Sequence, residues 1–121
     1  MLSLKGNQFI GGRQRPQGKH CFFGYNPNSG ETLQPPFFDA TEAELDSALE
    51  AAVEVVQQFA FADEKRVQFL SIIAETMQAH EKQIVARAEQ ETCLGEKRLS
   101  GELLRTTRQL EMFAGLVEQG W

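Results

Sequence analysis

Apolar residues recur at spacings of three and four along the chain from Thr41 onward, the period of an amphipathic helix. Leu45, Ala48, Leu49, Ala52, Val53 and Val56 form one stripe. Thr41 and Glu44 ahead of it make a capping box, with the hydroxyl accepting a backbone N–H and the carboxylate reaching back. The segment AFAD at 60–63 breaks this helix, and Asp63 is placed to cap the next. There Val67, Leu70, Ile73, Ala74 and Met77 repeat the stripe. A bend is expected near His80, after which Ile84, Val85 and Ala88 carry the pattern to about Thr92. Gly95 interrupts it. Leu99, Leu103, Thr107, Leu110, Ala114 and Val117 mark a last helix that ends before Gly120, a natural C′ residue. The predicted helices are therefore about 41–60, 63–79, 81–92 and 96–119. The last would be about 36 Å long at about 1.5 Å per residue.

Residues 1–40 read differently. They hold all four prolines and most of the glycines. A short apolar stretch in NQFIGGRQRP ends at Gly11-Gly12, a turn. The aromatic segment KHCFFGYNP reads as a second strand, and NPNSGETL as turns. ETLQPPFFDA runs extended because Pro35 and Pro36 block a helix. The expectation is a β-hairpin plus an extended arm over 1–40, and a helical segment over 41–121. The fold class is mainly α with an N-terminal β-hairpin and arm, an α+β arrangement, forming one incomplete domain.

Length and charge narrow the function classes. The 121 residues suffice for one domain, and 41% of them are apolar. A net charge of −5 with scattered basic residues argues against a nucleic-acid partner, which needs a basic stripe. Apolar runs are too short to span a membrane, so none is expected as a partner. Leu2-Ser3-Leu4-Lys5-Gly6 lacks the apolar core of a signal peptide, and two cysteines make no disulfide framework. The expected compartment is cytoplasmic.

Candidate chemistry is sparse. His20 and Cys21 are adjacent, but neighbours in a strand point to opposite faces, so Cys21 is read as a small apolar residue among Phe22, Phe23 and Tyr25. Cys93 reads as a residue filling a helix C-terminal turn, with no base paired to it. His20, Cys21, His80 and Cys93 lack the short ligand spacings of zinc sites, so no metal is expected. No GxGxxG or P-loop pattern occurs, and 41–121 carries no strand–helix alternation of a dinucleotide-binding sheet. Arg98, Glu102 and Arg105 fall on one helix face and read as ion pairs. The aromatics Phe22, Phe23, Tyr25, Phe37 and Phe38 read as core or docking surface. No catalytic, cofactor-binding or metal-ligating residue is assigned.

The order of segments does carry information. FIGGR…FFGYNPNSGETL, then ATEAELDSALEAAVEVVQQFA, then KRVQFLSIIAETMQAHEKQIVARAEQET resembles the N-terminal region of the aldehyde dehydrogenase superfamily. The closing QETCLGEKRLSGELLRTTRQLEMFA is similar to the ketoglutarate-semialdehyde (2,5-dioxovalerate) dehydrogenase branch. In the family the resemblance implies a cysteine nucleophile, a glutamate base, an oxyanion-hole asparagine and an NAD or NADP sheet, all beyond Trp121. Cys93 stands where the family usually has the Gly of Glu-Thr-Gly, and Gly95 where it often has proline, so Cys93 is a departure and not the nucleophile.

The resulting expectation is an N-terminal fragment of an NAD(P)-dependent aldehyde dehydrogenase acting on an oxo-acid semialdehyde, inactive by itself and without a cofactor of its own. The alternatives are a free-standing helical interaction module and a truncated regulatory pseudoenzyme subunit. The expected partner is the remainder of the parent enzyme, or a second copy joined through the apolar face of the 96–119 helix. That face is expected to expose a strip centred on Leu103, Leu110, Phe113 and Val117.

Overall fold

The computed structural model describes residues 4–15, 18–58 and 62–120. The chain forms two compact units, Met1–Ala60 and Phe61–Trp121.

The first unit starts with β1 (Gln8–Ile10) and β2 (Arg13–Arg15), antiparallel, with Ile10 opposite Arg13. Gly11 and Gly12 between them have φ of 56° and 74°. Two consecutive positive φ angles make the two-residue turn whose twist suits a hairpin, and glycine adopts them without a Cβ penalty. A second hairpin pairs β3 (Cys21–Tyr25) with β4 (Thr32–Phe38). Its loop closes on Asn26. The Asn26 carboxamide oxygen accepts the N–H groups of Asn28 and Ser29 at 2.9 and 3.0 Å, and its carbonyl accepts Gly30 N–H at 2.7 Å.

The segment ETLQPPFFDA, expected as an extended arm, thus contains a paired strand. The hairpin expected between NQFI and KHCFFGY is instead two hairpins, each closed on a neighbouring segment. The reason lies in the register. Phe22 faces Phe37 and Gly24 faces Leu33, so Gln34, Pro35 and Pro36 bulge opposite the single residue Phe23. A bulge needs no ladder N–H, so two prolines fit inside a strand that prolines would otherwise break. Gly6 closes the other edge of β4. Phe38 N–H donates to Gly6 C=O at 3.0 Å, and a Cβ on Gly6 would lie 1.8 Å from the Pro36 carbonyl oxygen.

Helix α1 (Glu42–Gln58) follows. The capping box is formed in full. Glu44 N–H donates to Thr41 Oγ1 at 3.2 Å, while Glu44 Oε2 accepts Thr41 N–H at 2.8 Å and the Thr41 hydroxyl at 3.0 Å. The expected end of this helix at 60 lies outside the described residues.

The second unit is a three-helix arrangement of α2 (Asp63–Ala79), α3 (Glu81–Thr92) and α4 (Glu96–Glu118), within a residue or so of the boundaries read from periodicity. Asp63 does not cap α2. It lies inside the first turn and pairs with Arg66 at 2.6 Å, an exposed pair, and Ala62 holds the N-cap position. His80 alone separates α2 from α3. Its N–H is shared between the Thr76 and Met77 carbonyls, and its own carbonyl accepts Gln83 and Ile84. The bend therefore needs no longer loop.

Helix α4 packs chiefly against α2 and then against α3. Val85, Leu99 and Leu103 form the core, with Met77 and Ala88 against it. Ala74, Thr107 and Ala114 are buried too. These small residues permit close approach of the helices. The Thr107 hydroxyl is satisfied by the Leu104 carbonyl at 3.1 Å. Leu103 is 7% exposed. It belongs to the inner seam and not to the exposed strip assigned to it. The apolar side chains that α4 does expose are Leu104, Met112, Phe113 and Leu116, with Leu110 and Val117 half-buried. Among the described residues no helix is long and apolar enough to cross a membrane.

Candidate functional site

The two cysteines come first because a thiol is the strongest nucleophile the sequence offers. Cys21 opens β3 opposite Phe38 and is exposed, not packed among aromatics as expected. The adjacent aromatic rings are open as well. Phe22, Phe23 and Tyr25 are exposed, and Phe22 stacks on Phe37 with centroids 5.8 Å apart. A two-stranded ribbon buries its side chains only where another layer packs on its face, and among the described residues these rings have none over them.

Cys93 caps α3 with φ of 53° and ψ of 32°, the left-handed conformation. Its N–H donates to the Glu89 carbonyl at 2.9 Å, and Glu89 Oε2 accepts Gly95 N–H at 2.8 Å. These bonds tie off the helix end. Cys93 is therefore a turn residue, as its position after Thr92 suggested. Neither cysteine is in a disulfide.

Each unit carries a surface cavity among the described residues. One, of about 350 Å³, lies in the first unit, bounded by Ile10, Arg13, Glu44, Ser47 and Ala51. The other, of about 260 Å³, lies in the second unit, bounded by Gln78, Glu81, Ser100, Leu104 and Thr107. Neither shows a lining hydroxyl hydrogen-bonded to a lining carboxylate. Ser47 spends its proton on the Ala43 carbonyl at 2.8 Å, and Thr107 spends its own on Leu104. Glu44 is only 3% exposed, with one oxygen committed to Thr41 and the other, Oε1, enclosed without a partner. It holds a helix end and borders the cavity of the first unit. Sequence signalled its cap role but not its burial, because burial depends on how the β1–β2 hairpin lies against α1.

No group of three or more His, Cys, Asp or Glu side chains that could hold a metal occurs among the described residues. The ion-pair face read from Arg98, Glu102 and Arg105 reduces to one exposed contact, Arg105 to Glu102 at 3.8 Å. Such a pair contributes little. A tighter pair, Arg87 with Glu91 at 2.6 Å, lies on α3.

A different kind of feature is present on α1. Its 17 residues carry five carboxylates, Glu42, Glu44, Asp46, Glu50 and Glu54, and no basic side chain. The apolar stripe beside them, Leu45, Leu49, Val53 and Val56, is between 53% and 74% exposed.

No protein-family model matches the chain. Curated relatives do, and two of them are dehydrogenases of one named activity. An alpha-ketoglutaric semialdehyde dehydrogenase 2 of Azospirillum brasilense is 31% identical over 121 residues, covering 98% of this chain and 23% of that protein. An alpha-ketoglutaric semialdehyde dehydrogenase of Acinetobacter baylyi is also 31% identical, covering 99% of this chain and 23% of its own length. The chain thus spans about a quarter of the length of the curated relatives it matches. Among solved structures, a NAD-dependent benzaldehyde dehydrogenase from Corynebacterium glutamicum shares the fold, with a TM-score of 0.82 and 19% identity over 93% of this chain and 25% of that one.

Proposed function

We propose, from the premise that this chain corresponds to the N-terminal region of the aldehyde dehydrogenase superfamily, that it is the leading part of an NAD(P)-dependent enzyme oxidising an oxo-acid semialdehyde to the acid. α-Ketoglutaric semialdehyde is the substrate named for both curated relatives. The observation that carries the reading is a match running along nearly the whole of this chain in each of them. The shared fold of the benzaldehyde dehydrogenase supports the superfamily and says nothing of the substrate.

On this reading the chain contributes architecture. The chemistry and the nicotinamide site are assigned to other parts of the longer enzyme. Titration calorimetry of the 121-residue chain with NAD⁺ and NADP⁺, alongside an assay with α-ketoglutaric semialdehyde, tests the assignment. The expected result is no saturable heat and no reduced cofactor, while a longer product containing this chain oxidises the semialdehyde. Cofactor binding by the 121 residues with a low-micromolar Kd would defeat the architectural role.

A second reading, a helical interaction module, draws on one observation. The unit Phe61–Trp121 has its own core around Val85, Leu99 and Leu103. Self-association through the exposed α4 residues Leu104, Met112, Phe113 and Leu116 belongs to that reading.

A further inference from the structure

We draw no further inference here: the strongest candidate, the cavity between the β1–β2 hairpin and the start of α1 that the buried Glu44 and the exposed Arg13 border, carries nothing, because Glu44 Oε1 is enclosed rather than open to a ligand and, in a chain spanning about a quarter of its relatives' length, nothing in the structure shows what covers the cavity's open side.

Discussion

Helices α1 and α4 carry the same kind of sequence and meet opposite fates. Both repeat apolar residues at three and four. On α4 the repeat Leu99, Leu103, Thr107 and Ala114 is buried against α2 and α3. On α1 the repeat Leu45, Leu49, Val53 and Val56 is open, while an ionisable residue of the same helix, Glu44, is buried. The difference comes from the neighbours. Unit Phe61–Trp121 supplies three helices whose stripes can face one another. Among the described residues, unit Met1–Ala60 supplies one helix and two ribbons of two strands, and such ribbons offer little surface to cover a helix stripe. An amphipathic period states that a face wants covering; it does not state what covers it.

The sharpest way to break the comparison is to truncate one leucine in each helix. Leu103→Ala removes a buried side chain and should cost about 2–5 kcal/mol. Leu49→Ala removes an exposed one and should fall within about 0.5 kcal/mol of the parent. Urea unfolding followed by helix circular dichroism, with hydrogen exchange to report each unit separately, measures both. Equal costs would mean that the α1 stripe is covered.

Next in size is the cap that begins α1. Thr41→Ala deletes the hydroxyl that accepts Glu44 N–H and leaves the buried Glu44 carboxylate with one donor fewer. The expected loss is about 1 kcal/mol. It should appear as faster amide exchange in the first turn of α1, with α4 unchanged. Protection that falls equally in both units would show that they unfold together.

The smallest effect has the opposite sign. Cys93 holds a left-handed φ that glycine adopts at no steric cost. Cys93→Gly should raise the stability of the helical unit by about 0.5–1 kcal/mol. A drop in its unfolding midpoint would instead show that the thiol contributes more by packing than its backbone loses by strain.

Local chemistry made much of this legible in advance. The capping box at Thr41 and Glu44 depends on residues three apart, and it formed as read. The helix boundaries near 80, 92 and 118 follow from period, a glycine and a left-handed turn, all properties of a few consecutive residues. The strands were harder. Arg13–Arg15 has no apolar alternation, and its pairing with Gln8–Ile10 is imposed by the two-glycine turn. Thr32–Phe38 contains two prolines, which read as unpaired until the register places them in a bulge. Asp63 is a good cap by type, yet the chain enters the helix one residue earlier, and Asp63 turns to Arg66. The expected exposure of Leu103 failed because the covering layer was sought outside the chain, whereas α2 and α3 supply it.

The sequence alone determined where the helices run, how α1 is capped, that Cys93 sits in a helix-ending turn, and the order of segments that places the chain beside the aldehyde dehydrogenases. Those properties depend on backbone hydrogen bonds and side chains within a turn or two of one another, so short stretches specify them. The tertiary structure decided which stripe is core and which is surface. It buried Leu103 and exposed Leu49, buried Glu44 and exposed Cys21. Burial is a relation between residues far apart in the chain, and an apolar side chain is equally suited to a core or to an interface until a neighbour excludes water from it.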